Sequence, residues 1–196
     1  MKVLIFATGN AGKIAEVNEI LRGVNLENWQ VRSMREIGQT EDLPETQPTI
    51  KGNAQQKAYF LYEKFKCDCF SEDTGLEIDA LNGEPGVKTA RYAGEGKNTQ
   101  DNINLVLEKL NNQTNRTARF RTVITLILGG IEHNFEGICE GEIRQICEGE
   151  GGFGYDPIFQ PEGYNITFAE MGSAEKNKIS HRGKAVVQLL DFLKSL

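Results

Sequence analysis

The chain has 196 residues, of which 39% are hydrophobic and 26% charged; this suits one compact domain or two closely joined lobes and excludes disorder and fibrous repeats. Glycine is frequent, at 21 residues, but follows no three-residue period, so collagen-like and low-complexity chains are excluded as well. A net charge of −6 gives no broad positive field for nucleic acid, so any anionic ligand must be small and held by local cations, backbone N–H groups or a metal.

No apolar run approaches the ~20 residues that span a bilayer. The apolar start at residues 3–7 is too short for a signal peptide, and a cytoplasmic protein with no membrane or nucleic-acid partner is expected. Cys67, Cys69, Cys139 and Cys147 lack the spacing of a disulfide framework or a zinc site and read as reduced thiols.

Residues 2–7 read as a buried strand, and Ile14, Val17, Ile20 and Leu21 then recur at helical spacing. Residues 25–50, punctuated by Pro44 and Pro48, read as a loop. A helix is expected near Asn53, which can cap it, because Ala54, Ala58, Leu61 and Phe65 share one face. A short strand at 70–73 leads into a segment containing Gly75, Gly83, Gly86 and Gly94, which needs defined turns. Asn98 or Thr99 opens a helix with the stripe Ile103, Val106, Leu107 and Leu110, and 111–117 is a loop. Residues 119–128 form a strand, Gly129 and Gly130 turn it, and 131–135 return as a hairpin. A further strand pair includes 143–146, and Val186, Leu189, Leu190 and Leu193 mark a last helix. Helices alternating with strands early and hairpins later predict an α/β fold on a mixed sheet flanked by helices.

Several segments carry chemistry. Thr8, Gly9, Asn10, Ala11, Gly12 and Lys13 place glycines, a hydroxyl and a lysine at a helix mouth, where N–H groups and the positive helix end attract phosphate. The spacing is neither that of a P-loop nor of a dinucleotide fingerprint, and a plain glycine turn stays open. Glu72, Asp73, Thr74 and Gly75 join two carboxylates and a hydroxyl where a strand is expected to give way to a turn; such oxygens suit magnesium, though an ordinary Asp turn has the same composition. Glu45 is a further carboxylate, and Lys57 follows Asn53 by four positions on the expected helix. Gly151 to Pro157 sets Phe153 and Tyr155 among glycines, as a core aromatic or as a face on which a purine stacks. His181 and Arg182 open the last helix with adjacent donors, either structural or able to read a carbonyl on a base.

Taken together, TGNAGK at 8–13, GNAQQKA at 52–58, EDTGLEIDALNGEPGV at 72–87, ARYAG at 90–94, GGFGYDPIF at 151–159 and SHRGKA at 180–185 resemble the inosine triphosphate pyrophosphatase family across nearly the whole chain. The resemblance implies two lobes around a nucleotide cleft in a single family domain, a homodimer, and magnesium-dependent hydrolysis of ITP, dITP and XTP to monophosphate and pyrophosphate. Carried across by motif, Thr8 to Lys13 and Lys57 hold the triphosphate, and Thr74 is a further substrate-binding residue. Glu45 and Asp73 organise Mg2+, with Glu72 as a further candidate ligand, and Asp73 activates water. Phe153, Gly154, Tyr155, Asp156, Lys176, His181 and Arg182 hold the nucleoside. Glu72 stands where the family often has Asp, Thr74 where it often has Ser, and Lys88 where an aromatic is common.

Overall fold

The structure is a computed structural model that describes residues 1–22, 24 and 28–196. In chain order the main elements are β1 (Lys2–Phe6), α1 (Ala11–Arg22), β2 (Trp29–Ser33), α2 (Ile50–Phe65), β3 (Cys69–Ile78), β4 (Pro85–Gly86), α3 (Thr99–Lys109), β5 (Thr117–Leu128), β6 (Ile131–Ile143), β7 (Phe159–Pro161), α4 (Ser173–Ile179) and α5 (His181–Lys194). Among the described residues the strands form one seven-stranded sheet, ordered β2-β1-β3-β5-β6-β7, with β4 paired to β3. Strand β1 runs parallel to β2 and β3, whereas the β3–β4 and β6–β7 pairs are antiparallel. The mixed α/β expectation holds. No helix among the described residues is long and apolar enough to cross a membrane.

Four local expectations change. Part of the expected 25–50 loop is β2, because Trp29–Ser33 finds a parallel partner in β1; residues 25–27 of that stretch lie outside the described residues. Thr49, not Asn53, caps α2: its Oγ1 accepts from Gly52 N at 3.0 Å. Strand β3 continues to Ile78, so Glu72 to Gly75 sit within a strand rather than at its end, with Leu76 and Glu77 paired to Gly86 and Pro85. Ile143 ends β6, a single long partner of β5, and pairs with Phe159 instead of opening another strand.

The chain divides into two compact units. The first comprises Met1–Asp73, Thr122–Gly137 and Arg182–Leu196, and the second Thr74–Arg121 and Ile138–His181. In the first unit, side chains alternate across the strands with period two and build two apolar clusters. Leu4, Phe6, Phe70, Ile124 and Leu126 pack with Val17 of α1 and with Val186, Leu189 and Leu190 of α5. The intervening Ile5, Ala7, Cys69 and Ile127 pack with Ala58 and Leu61 of α2. In the second unit, Leu76, Ile78, Ile103, Val106, Phe120, Phe159 and Phe168 belong to one cluster.

All four cysteines are free thiols, and burial pushes the Cys69 thiol up to about 12. Gly52 is required by the cap of α2, since a Cβ there would lie 2.8 Å from Gln47 Cβ and 2.9 Å from Thr49 Oγ1. Thr49→Ala should lower stability by about 1 kcal/mol in urea unfolding, with Thr49→Ser close to native; an alanine variant of native stability would deny the cap any energetic role.

Candidate active site

Strand alternation decides how the first unit uses its adjacent acids. Phe70 and Glu72 face α1 and α5, while Cys69, Ser71 and Asp73 face α2. On the α2 side, Ser71 donates its hydroxyl to Ala54 O. Lys57 donates to Asp73 Oδ1 at 2.9 Å and to Glu45 Oε1 at 2.5 Å, and Asn53 Nδ2 reaches Asp73 Oδ2 at 3.4 Å. Asn53 and Lys57 lie four residues apart, so one helical face presents both to Asp73. Glu45 is brought there because the chain beside it is tied to α2: Thr46 N donates to Gln56 Oε1 and Gln47 N to Asn53 Oδ1. Burial opposes the charge on Lys57, but Asp73 and Glu45 outweigh it and raise its pKa.

On the other side, Arg182 Nε donates to both oxygens of Glu72, at 3.0 and 2.9 Å, and its terminal nitrogen meets Glu16. Lys13 Nζ lies 3.2 Å from Glu72 Oε1. Burial opposes ionisation of Glu72, yet Arg182 and then Lys13 overcome it and hold the carboxyl down to about 2. For Lys13, burial costs more than Glu72 returns, and its pKa is lowered; Arg182 is therefore the principal partner of Glu72.

The turn before α1 is shaped by its own polar groups. Asn10 N donates to Thr8 Oγ1 at 3.2 Å, and Lys13 N donates to Asn10 Oδ1 at 3.0 Å, so Asn10 acts as the helix cap. Gly9, Ala11 and Gly12 complete a compact helix mouth suited to phosphate.

The second unit holds a different arrangement. Asp156 Oδ2 accepts from Lys176 Nζ at 2.6 Å and from Phe153 N at 2.8 Å. The Lys176 ammonium lies 5.4 Å from the ring centres of both Phe153 and Phe168. Gly152 is demanded here by φ of +73° and because a Cβ would run into the Asp156 carboxylate. Gly154 adopts φ of +65°. His181 is buried and stacked on Phe120, centroids 4.5 Å apart, with Phe168 at 6.3 Å. Tyr155 is 2% exposed and donates its hydroxyl to Thr89 O, so its ring belongs to the core and not to a ligand face. Thr74, half-buried, is the first residue of this unit.

The sites read from sequence thus separate by unit. Thr8 to Lys13, Glu45, Lys57, Glu72, Asp73 and Arg182 belong to the first; Thr74, Phe153 to Asp156, Lys176 and His181 belong to the second. Glu16 and Asn53 were not singled out as site residues, although Glu16 lies three residues after Lys13, and Asn53 four before Lys57, on shared helix faces. Phe168 carried no signal in the sequence, because nothing local ties it to Lys176.

The chemistry of these oxygens can be tested against magnesium, which needs only one or two carboxylates beside phosphates and water. Glu45 and Asp73 converge and fit that requirement. Glu72 does not join them, since strand alternation turns its carboxylate to the opposite face, toward Arg182 and Lys13. Among the described residues no group of three or more His, Cys, Asp or Glu is placed to hold a metal.

Because the Glu72 pKa falls from its ordinary 4.5 to about 2, its contribution to stability is complete above pH 4.5 and is lost as the pH drops toward 2. The shift corresponds to roughly 3 kcal/mol. Glu72→Gln should therefore be less stable than the native protein by about that amount at pH 7 in urea unfolding, with the gap closing below pH 4.5. A gap independent of pH would mean that the carboxylate is not held ionised by Arg182.

Comparison with known proteins places this geometry in context. The model of the Ham1 family matches residues 4–192. The chain is 53% identical to a dITP/XTP pyrophosphatase of Flavobacterium johnsoniae over 190 residues, covering 97% of each chain. It is 44% identical to a dITP/XTP pyrophosphatase of Bacillus subtilis, covering 100% of this chain and 98% of the relative. Among solved structures, a HAM1 protein from Coxiella burnetii superimposes with a TM-score of 0.91 at 36% identity over the full length of both chains. The Ham1 protein of Staphylococcus aureus gives 0.88 at 37% identity over 99% of each. The motifs, the mixed sheet and these full-length matches agree: the chain belongs to the Ham1 family.

Proposed function

We propose that the protein hydrolyses non-canonical purine nucleoside triphosphates, ITP, dITP and XTP, to the monophosphate and pyrophosphate, as a cytoplasmic homodimer working with Mg2+. The observation that carries this reading is Asp73 held between Lys57 and Asn53 with Glu45 on the same lysine. The full-length kinship with dITP/XTP pyrophosphatases supports it.

A triphosphate repels an incoming oxygen, so catalysis must neutralise charge on the phosphates and aim the water. Lys13, Lys57 and the turn from Thr8 to Gly12 supply cations and N–H groups for the phosphates, joined by the Thr74 hydroxyl. Asp73, oriented by Asn53 and Lys57, accepts the proton of a water attacking the α-phosphorus, and pyrophosphate leaves. Glu45 and Asp73 would hold Mg2+, which neutralises phosphate charge when bound.

Phe153 offers its ring to the base, and Lys176, fixed by Asp156, brings an ammonium that can only donate. Hypoxanthine and xanthine present a carbonyl where adenine presents an amino donor, so a buried donor is satisfied by the first two and opposed by the third. His181 reinforces this side from its place against Phe120. Arg182, whose guanidinium is engaged by Glu72 and Glu16, serves this reading by fixing Glu72 rather than by reading the base.

Incubation with magnesium and a panel of ITP, XTP, GTP, ATP and pyrimidine triphosphates should yield monophosphate and pyrophosphate fastest from ITP and XTP. Release of inorganic phosphate alone would refute the assignment. Asp73→Asn should reduce kcat by about a hundredfold or more with little change in nucleotide affinity by calorimetry; retained turnover would remove Asp73 from the chemistry. Lys176→Met should narrow the ITP over ATP ratio of kcat/KM about tenfold or more, and an unchanged ratio would take base reading away from Lys176.

A further inference from the structure

Thr89 stands at a junction that neither the motifs nor the chemistry above uses. Its Oγ1 accepts from Leu76 N of β3 at 2.8 Å and donates to Gly86 O at 2.6 Å. The neighbouring residues are fastened to α3, where Asn102 Oδ1 accepts from Ala93 N at 2.7 Å and Asn102 Nδ2 donates to Ala90 O at 3.1 Å. A strand and a helix therefore fix the segment that carries the Thr89 carbonyl. Tyr155 donates its hydroxyl to that carbonyl at 2.8 Å from within the apolar cluster of the second unit.

Tyr155 lies between Gly154, in the left-handed region, and Asp156, the carboxylate that holds both Lys176 and the backbone of Phe153. A glycine-rich loop has little stiffness of its own, and placing Phe153 and Lys176 to within a fraction of an ångström requires an anchor outside the loop. Tyr155 reaches one at the Thr89 carbonyl, beside the contacts that Asp156 makes with Lys176 and Ala169.

We propose that Thr89 and Tyr155 form a positioning pair that sets the nucleobase-binding loop, so that loosening it weakens recognition of the base while leaving phosphate binding and the chemical step intact. The inference rests on the functional reading above. Loss of one such hydrogen bond is worth about fivefold in an equilibrium.

The test uses Tyr155→Phe, Thr89→Val and Thr89→Ser in the full chain, with steady-state kinetics on ITP and competitive inhibition by inorganic tripolyphosphate, which has no base. Tyr155→Phe and Thr89→Val should raise KM for ITP about fivefold with kcat within twofold of native and the tripolyphosphate inhibition constant unchanged. Thr89→Ser, which keeps the hydroxyl, should behave as native. An unchanged KM overturns the proposal, as does a parallel weakening of ITP and tripolyphosphate, which marks general loss of structure. Should Tyr155→Phe not fold, the two Thr89 variants decide the matter by the same criteria. A native protein that does not hydrolyse ITP would instead defeat the functional reading, and is distinguished by the wild-type assay.

Discussion

Two neighbouring carboxylates buried in the middle of a strand are the constraint around which the first unit is organised. Glu72 and Asp73 are 1% and 6% exposed, and an ionised carboxylate out of water is tolerable only with cations and donors in contact. Successive side chains on a strand point to opposite faces, so the two acids cannot share one set of partners. Each collects its own: Arg182 and Lys13 for Glu72, Lys57 and Asn53 for Asp73. The same geometry turns the two carboxylates away from each other, and Asp73 finds its companion acid far away in sequence, at Glu45.

The cations are delivered by the apolar core. Helix α5 is fixed by Val186, Leu189 and Leu190 against Leu4, Phe6 and Phe70, and this docking carries Arg182, near its first residue, to Glu72. Helix α2 is fixed by Ala58 and Leu61 against Ile5 and Cys69, and Lys57 follows. Hydrophobic burial supplies the net stability that lets the charges be placed, while each ion pair offsets the desolvation of its own members, so that removing one partner leaves the other uncompensated. Lys13 and Arg182 differ in balance: burial outweighs Glu72 and lowers the pKa of Lys13, whereas Glu72 and Glu16 outweigh burial and raise that of Arg182.

Much of the fold was legible because most of its elements obey simple periodicities. The stripes in α1, α3 and α5 and the β5–β6 turn at Gly129 and Gly130 follow from the spacing of apolar and glycine residues. Strand β2 was not, since its stability comes from a parallel partner more than twenty residues earlier. The cap of α2 was misread because Thr49 and Asn53 are both cap formers, and only the chain returning through Gln47 shows that Asn53 is spent on other contacts. Individual site residues were nameable from motifs, but their partners were not. Glu16, Phe120, Phe168 and Thr89 make contacts across long sequence separations, which no local pattern records.

Neighbours in sequence have different surroundings at one further place. His181 and Arg182 are consecutive donors at the start of α5. The chain passes from the second unit to the first between them, just as it passes from the first to the second between Asp73 and Thr74. The imidazole therefore stacks in the aromatic cluster with Phe120 and Phe168, and the guanidinium enters the carboxylate network of Glu72 and Glu16. Each side chain of a dipeptide at such a crossing is subject to the packing of a different core. Within the motifs EDTG and SHRG, Glu72, Asp73 and Arg182 are thus packed by the first unit, and Thr74 and His181 by the second.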